Sequence, residues 1–342
     1  MIRNVYHILL LCIVSMIMTA CSHETKPIQP STMLLNKGCY PYAISYNGHY
    51  YFTMQCTTGD SISIWETGEI EKLTEAKRRV VWTATDDFGN HFWSPELHRL
   101  NDRWYLYFEA DDGNTDNHQL YVMECQTDDP MTGEFVMKGT LQTNDEWNYG
   151  IHPSVIDVKG KLYLLWSGWP KRRAETETQY IYIAQMQNPW TVSSERVMIS
   201  SPEYEWERQW INPNGNRSAY PIYVNENPHP FLSPSGDRIF VAYSASGIWT
   251  VYSTLGLLHA PASANLLDPN VWRKESEPQF GADSLGFVSS SNISVFPSTD
   301  GQQTLMLYEV KKRENNREVR TIHLKPIKWT TDNMPQFGSM DL

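Results

Sequence analysis

The alternation of apolar and polar residues along this chain predicts β-hairpins. In the stretch 223–258, an apolar run from Pro230 to Leu232 leads into a Ser-Pro-Ser-Gly turn and then into a β-rich run from Arg238 to Tyr243. Alternating segments on either side of a turn rich in Pro, Ser and Gly are typical of two antiparallel strands. Glu226 stands at the start of the first strand, where its carboxyl group would face a central pocket.

The same hairpin pattern recurs four more times along the chain. Each copy runs from a short strand through a turn such as Asn-Gly, Lys-Gly or Asp-Gly into a second strand, and equivalent positions lie 54 to 77 residues apart. The five copies begin at Tyr40, Ser94, His152, Glu226 and Ser291. Repeats on this scale, without strong helical periodicity, are typical of propeller blades. The sequence therefore predicts an all-β, five-bladed β-propeller rather than a two-sheet sandwich.

The first residues of the repeats form a candidate site. Because proline crowds the residue before it, we expect Tyr40, Ser94 and His152 to be extended. In a propeller the inner strands run along one axis, so their first residues converge at one end of the central channel, where a binding cleft is expected. The predicted converging set is Tyr40, Glu96, His152, Glu226 and Ser291–Asn292. The aromatic residues predicted to surround it are Tyr42, Trp93, Trp147, Tyr149, Trp206 and Trp249.

The N-terminus predicts export. An arginine precedes an apolar stretch from Val5 to Ile17, and a Met-Thr-Ala-Cys sequence ends at Cys21. Residues 1–21 resemble a bacterial lipoprotein signal with Cys21 as the lipidated residue. The polar, proline-containing residues 22–36 predict a flexible tether, and residues 37–342 the propeller domain. We expect a membrane-anchored lipoprotein on the outer membrane, at the cell surface or on the periplasmic side.

Composition narrows the range of partners. The formal net charge of −11 argues against a nucleic acid or an anionic membrane surface as the partner. The 13 Trp and 19 Tyr residues suit stacking on the apolar faces of sugar rings as well as packing between blades. We expect a monomer that binds an oligosaccharide or polysaccharide.

The cysteines predict neither a disulfide framework nor a metal site. Three of them, Cys39, Cys56 and Cys125, lie beyond the signal, and no Cys-x-x-Cys or histidine spacing typical of zinc is present. Cys39 and Cys56 either pair or remain buried thiols. No metal and no cofactor are expected.

Nine further motifs follow one another along the chain. They are Thr57–Trp65, Trp93–His98, Trp104–Val122, Leu162–Trp169, Ile181–Trp190, Tyr204–Arg208, Phe240–Thr250, Leu266–Trp272 and Ile327–Gly338. In these motifs, residues 37–338 resemble glycoside hydrolase family 43, and its arabinofuranosidase-like members most. The resemblance implies a five-bladed propeller that hydrolyses plant-type glycans containing arabinose, xylose or galactose.

The resemblance also assigns roles to three residues. Glu226 falls at the family's general acid, in Asn-Glu-Asn-Pro where the family has Asn-Glu-Gly-Pro. Tyr40 stands where the family has its general base, an aspartate, and His152 stands where a second aspartate tunes the acid. From their places around the repeat starts, Tyr42, Trp93, Glu96, Tyr149, Asn225 and Trp249 are expected to contact the substrate.

The two replaced aspartates leave three hypotheses open. In the first, the chain is a hydrolase with a variant apparatus: His152 is the base, Tyr40 is a nucleophile activated by Glu96, or the substrate assists its own cleavage. In the second, it binds glycans without cutting them. In the third, the base is another aspartate, Asp60 or Asp86. A tyrosine with an ordinary pKa of ~10 cannot replace an ionised aspartate directly at neutral pH.

Overall fold

The computed structural model describes residues 31–55, 61–85, 90–172, 177–210, 221–250, 252–281, 288–314 and 317–340. The predicted signal with Cys21, the cysteine Cys56, and the alternative bases Asp60 and Asp86 lie outside these ranges. Within them, no helix has the length and apolar character needed to cross a membrane. The lipid anchor and the Cys39–Cys56 pairing remain predictions.

Short strands dominate the described residues. In the first half of the chain they are β1 (Thr32–Leu35), β2 (Cys39–Tyr46), β3 (His49–Gln55), β4 (Ser61–Thr67), β5 (Lys77–Thr83), β6 (Asn90–Leu100), β7 (Arg103–Asp111), β8 (Gln119–Cys125), β9 (Phe135–Thr140), β10 (Ile151–Val158) and β11 (Lys161–Gly168). In the second half they are β12 (Glu177–Asn188), β13 (Thr191–Val192), β14 (Val197–Ser200), β15 (Arg208–Trp210), β16 (Pro221–Leu232), β17 (Arg238–Ala245), β18 (Thr254–Pro261), β19 (Arg273–Lys274), β20 (Phe280–Gly281), β21 (Val288–Pro297), β22 (Thr304–Glu314), β23 (Arg317–Trp329) and β24 (Pro335–Gln336). Single 3₁₀ turns cover Ile70–Glu75, Thr115–Asn117, Glu205–Glu207 and Pro269–Val271.

Neighbouring strands pair antiparallel into successive runs. Two separate four-stranded sheets have the orders β2-β3-β4-β5 and β6-β7-β8-β9. The next two runs, β10-β11-β12 and β16-β17-β18-β19, are joined by a short parallel pairing between β12 and β16. The last sheet has the order β21-β22-β23-β1. The fold is therefore all-β, as predicted, and each predicted hairpin supplies the first two strands of a run.

The first strands of the runs contact one another in a ring. β2 contacts β6, β6 contacts β10, β10 contacts β16, β16 contacts β21, and β21 contacts β2. Hydrophobic clusters fill the space between consecutive runs, including one between the last run and the first, where Phe52 packs with Leu305 and Leu307. The second strands are buried on both faces, so segments such as β17 are nearly continuous apolar runs.

The backbone at the repeat starts differs from the sequence expectation. Tyr40, Ser94 and His152 have φ angles of 52°, 44° and 55°, which is left-handed rather than extended backbone. The pairing register of their strands shifts at the same places. A β-bulge turns the extra residue out of the ladder, and here this outweighs the conformational preference imposed by the following proline. Such strained residues cluster at functional sites.

The domain begins earlier than predicted. Thr32–Leu35, placed in the tether by the sequence, form β1 and pair antiparallel with β23. Leu34 is buried in the cluster that joins the last run to the first. Because β1 completes the outer edge of the last sheet and buries Leu34, the apolar Met-Leu-Leu segment is a strand of the domain and not a flexible linker.

Removing the buried side chain of β1 is expected to destabilise the whole domain. Leu34→Ala should lower the free energy of unfolding by about 2–5 kcal/mol, because it removes apolar contacts and leaves a cavity. Met33→Ala is the matched control, since Met33 is 55% exposed on the same strand and its loss should matter little. Urea unfolding measures both changes. Equal effects of the two variants would contradict a structural role for β1.

Candidate active site

A cavity of about 360 Å³ opens at the end of the fold where the first strands of the runs begin. Its described lining residues are Tyr40, Trp93, Thr115, Asp116, His118, Tyr149, Ile151, His152, Trp169, Gln179, Glu226, Ile248, Trp249 and Arg320. The structure therefore brings together the three residues predicted to be catalytic, although Tyr40 and Glu226 are separated by more than half the chain.

Glu226 is the buried carboxyl group of the cavity. It is 1% exposed, and its Oε1 accepts a 2.7 Å hydrogen bond from the backbone N–H of Ile248. Its Oε2 lies 4.0 Å from Nδ1 of His152. One oxygen is thus anchored to the backbone, and the other lies beside the His152 ring.

Asn227, the residue after Glu226, has left-handed backbone geometry. Asn227 has a φ of 54°, a region that glycine and asparagine tolerate better than most residues. Its backbone N–H donates to Ser167 Oγ at 2.8 Å, and its side-chain Nδ2 donates to Asn292 Oδ1 at 2.7 Å. These bonds hold Asn227 in the bulge that follows Glu226.

His152 flanks Glu226 rather than facing it across a substrate. Its ring stacks on Tyr40, with 5.4 Å between ring centroids, and burial together with His118 lowers its pKa to about 3. The base of an inverting glycosidase stands ~6.5–9.5 Å from the acid, because a water molecule must fit between them. At 4.0 Å, His152 is too close to Glu226 for that position.

Tyr40 contributes a protonated phenol to the cavity. Burial, followed by the nearby Glu226 carboxylate, raises its pKa well above the ordinary value. Its backbone N–H donates to Oε2 of the buried Glu309 at 3.1 Å, and Oε1 of Glu309 accepts from Arg320 at 3.0 Å. These bonds fix the Tyr40 bulge against the last sheet.

Aromatic rings form the walls of the cavity. Tyr149 and Trp169 stack at 3.7 Å with an interplanar angle of 10°, and Trp93 lies 4.3 Å from the ring of His118. Trp249 is 44% exposed at the rim. Such flat faces suit the C–H faces of a sugar, and the predicted positions of Trp93, Tyr149 and Trp249 are consistent with direct contact.

Three residues predicted to contact substrate are not among the described residues that line the cavity. Tyr42 lies deeper, where its hydroxyl is 3.2 Å from His98 Nδ1. Glu96 Oε2 accepts from Ser154 Oγ at 2.7 Å and lies 2.8 Å from His98 Nε2. Asn225 Nδ2 donates to Ser200 and to Glu207, both at 2.9 Å.

Strand geometry accounts for these corrections. In the second repeat the bulge is at Ser94, two residues before Glu96, so Glu96 lies further along the channel than the repeat alignment implied. Asn225 precedes Glu226 on the same strand, and neighbouring side chains in a strand point to opposite faces. Asn225 therefore joins the packed interior beside β15 instead of the cavity.

Sequence reasoning missed several lining residues. Asp116 lies in a turn in which Asn114 Oδ1 accepts from the Asp116 N–H at 3.0 Å. The same turn brings Asp116 to the cavity. Gln179 has a buried Oε1 that makes no hydrogen bond within the described residues, which suits a sugar hydroxyl. Arg320 comes from β23, where no motif marked it.

Comparison with known proteins places the fold and the site in a family. Residues 37–335 match the family described as glycosyl hydrolases family 43. The chain belongs to this family. The match covers all of the lining residues, from Tyr40 to Arg320.

Several proteins with sequence similarity to this chain are arabinofuranosidases. The chain is 29% identical over 334 residues to an extracellular exo-α-(1→5)-L-arabinofuranosidase of Streptomyces avermitilis, covering 93% of this chain and 66% of that protein. It is 30% identical over 270 residues to the protein of the same name from Streptomyces chartreusis, covering 78% and 77%. The chain thus spans slightly less than two thirds of the Streptomyces avermitilis protein.

A solved structure has the same architecture. The α-L-arabinofuranosidase from Lactobacillus brevis superposes with a TM-score of 0.78 at 27% identity, covering 90% of this chain and 95% of that one. The shared fold therefore extends over nearly the whole described domain.

Proposed function

We propose that this chain is a five-bladed propeller glycosidase that releases arabinofuranosyl residues from arabinose-containing glycans. The ring of contacts among the first strands supports the propeller. The substrate class rests on the arabinofuranosidases similar to this chain. The observation that carries the activity is Glu226: a nearly fully buried carboxyl group held at one oxygen and enclosed by aromatic walls.

In this proposal Glu226 is the general acid. A glycosidic bond breaks when a carboxylic acid protonates the leaving oxygen while the sugar develops oxocarbenium character. A buried carboxyl group between a neutral His152 and a protonated Tyr40 faces no fixed positive charge from either neighbour. Both neighbours are therefore compatible with a carboxyl group that carries its proton.

Asp116 is the best candidate for the water-activating base. We infer that Tyr40 and His152 occupy the places of the two missing aspartates, and neither is an ionised carboxylate. Apart from Glu226, Asp116 is the only carboxylate among the described lining residues. It lies on a capped turn at the wall of the cavity, where it could activate water on the far side of a bound sugar.

The test is arabinose release from arabino-oligosaccharides by the full chain, with Asp116→Asn beside it. We expect Asp116→Asn to lower kcat by about 10²–10⁴-fold, the usual contribution of a general base. Sodium azide should then restore turnover as glycosyl azide, because this small anion attacks the sugar without a base. Asp112→Asn controls for damage to the loop, since Asp112 is exposed and belongs to the same turn. Full activity of Asp116→Asn would rule out this base.

The second candidate function is glycan binding without cleavage. The observation in its favour is that the residues at the two aspartate positions, Tyr40 and His152, are uncharged at neutral pH. Calorimetry with the same oligosaccharides separates the alternatives. Binding without arabinose release by the wild-type chain would support a receptor and contradict the glycosidase proposal.

A further inference from the structure

Glu109 is a fully buried carboxyl group that the proposed mechanism does not use. It lies on β7, paired with Trp93 on β6 and Leu120 on β8, and is 0% exposed. Neither of its carboxyl oxygens makes a hydrogen bond of good geometry within the described residues. It is not among the described lining residues of the cavity but lies next to one of them, His152.

The equivalent glutamate of the last sheet shows what a structural carboxyl group looks like here. Glu309 on β22 is also fully buried, but its oxygens accept hydrogen bonds from Arg320, from Asn292 Nδ2 at 2.8 Å and from the Tyr40 N–H. Burying a polar group without partners is destabilising, and more so when the group is charged. Among the described residues, Glu109 has only the backbone of His152 and the hydroxyl of Ser94 beside it, without good hydrogen-bond geometry, and it has no charged partner such as the one that Arg320 provides to Glu309.

His152 lies between two carboxyl groups. Its Nε2 is 3.9 Å from Glu109 Oε1 and has no hydrogen-bond partner within the described residues. Its Nδ1 is 3.4 Å from Ser167 Oγ and 4.0 Å from Glu226 Oε2. The two unsatisfied groups, Glu109 and Nε2, are therefore complementary neighbours. A small rotation or one bridging water would connect them.

The surroundings keep both groups uncharged at neutral pH. Burial raises the pKa of Glu109 to about 8, helped by Glu96 and partly offset by the backbone of His152 and the hydroxyl of Ser94. Burial and His118 hold the pKa of His152 at about 3. Near pH 7 the Glu109 carboxyl group therefore carries its proton and faces a neutral imidazole, which has one N–H of its own.

We propose that Glu109 is a positioning residue that selects, through His152, which form of the Glu226 carboxyl group is favoured. A protonated Glu109 donates to Nε2, so the imidazole hydrogen lies on Nδ1 and points towards Glu226 as a donor. An ionised Glu109 accepts from Nε2–H, so Nδ1 becomes an acceptor and favours the protonated Glu226. The inference rests on the proposed general acid role of Glu226.

The tautomer of His152 provides a test that does not need activity. Four titratable groups act on the His152 ring, namely Tyr40, Glu226, His118 and Glu109. The measurement therefore follows the ring nitrogens of His152 directly instead of inferring their state from a neighbour. The full chain, labelled with ¹⁵N-histidine and solubilised in detergent, is titrated by NMR, and His152→Gln assigns its signal among the ten histidines. We expect a change from Nδ1–H to Nε2–H with a midpoint near pH 8, without protonation of the ring. A tautomer that is constant across this range overturns the proposal.

Glu109→Gln carries the test to the reaction. The variant removes a titrating group but keeps the volume, so the pH-dependent tautomer change should disappear. Above about pH 8, where Glu109 is ionised, its negative charge helps Glu226 to keep its proton, so the alkaline limb of kcat/KM should fall at lower pH in Glu109→Gln than in the wild-type chain. At pH 6, where Glu109 carries its proton, kcat/KM of the two chains should be equal. Glu71→Gln, an exposed glutamate, controls for the overall charge. An alkaline limb of kcat/KM that is the same in Glu109→Gln and in the wild-type chain contradicts the proposal.

The two proposals fail in different ways. Binding of arabino-oligosaccharides without release of arabinose would contradict the glycosidase proposal, while the NMR titration would still test the coupling between Glu109 and His152. If the wild-type chain releases arabinose but the tautomer change persists in Glu109→Gln, only the proposed role of Glu109 is contradicted. If Glu109→Gln does not fold, the NMR titration of the wild-type chain still decides whether the His152 tautomer changes near pH 8.

Discussion

Glu226→Gln is expected to reduce arabinose release by about 10²–10⁴-fold, the range that general acid catalysis contributes. The amide keeps the size of the side chain, and its oxygen can still accept the hydrogen bond from the Ile248 N–H. It cannot deliver a proton to the leaving oxygen. The loss should therefore appear in kcat, measured on natural arabino-oligosaccharides, whereas binding of the same oligosaccharides by calorimetry should be retained.

A second substrate makes the result specific. An arabinofuranoside with a nitrophenolate leaving group needs little protonation, so Glu226→Gln should cleave it far better than it cleaves a natural linkage. Circular dichroism and the thermal midpoint should match those of the wild-type chain, because the backbone anchor remains. An equal loss on both substrates with intact binding would contradict the acid role and leave Glu226 as a positioning group.

Glu207→Leu is expected to lower the free energy of unfolding by about 3–5 kcal/mol, because it leaves a buried cation unpaired. Glu207 is fully buried, and its Oε1 accepts from Lys274 Nζ at 3.0 Å and from the hydroxyl of Tyr243 at 2.7 Å. Lys274 has a side chain only 8% exposed. Glu203→Gln is the matched control, since Glu203 lies 4.0 Å from the same lysine but is 59% exposed, and such exposed pairs contribute little.

The effect of Glu207 should depend on pH. Burial alone would raise its pKa, but Lys274, the backbone N–H groups of Glu203 and Tyr204 and the Tyr243 hydroxyl together hold it below the ordinary value. A lowered pKa in the folded state means that the stabilisation is present at neutral pH and is lost as the pH falls through that pKa. Urea unfolding should therefore show a smaller difference between wild type and Glu207→Leu in acid. A difference independent of pH would contradict an ionised Glu207.

The hairpin repeats carried most of the fold prediction. Each predicted strand–turn–strand unit became the first two strands of a run, as with β16 and β17 around the Ser233–Gly236 turn. This succeeded because turns and strand alternation are local properties of the sequence. The strand formed by Thr32–Leu35 was not predicted, since its pairing depends on an edge that β23 offers nearly 300 residues later.

The candidate site was predicted in part. Tyr40, His152 and Glu226 could be placed because each opens a repeat, and equivalent positions in equivalent strands meet at one end. Glu96 is not among the described lining residues, because a β-bulge precedes it and leaves no mark in the alternation of apolar and polar residues. The change of register moves every following side chain relative to the cavity.

By itself the sequence determined the all-β repeat pattern, the family motifs and the presence of a single acidic residue, Glu226, in the fourth repeat start. Only the tertiary structure decided which side chains surround it. Asp116 reaches the cavity from a loop, Arg320 from the last long strand, and Glu109 approaches His152 from the second strand of another run. Contacts of this kind form when runs far apart in the chain pack around one axis, so the distances between their side chains are set by packing and not by local preference.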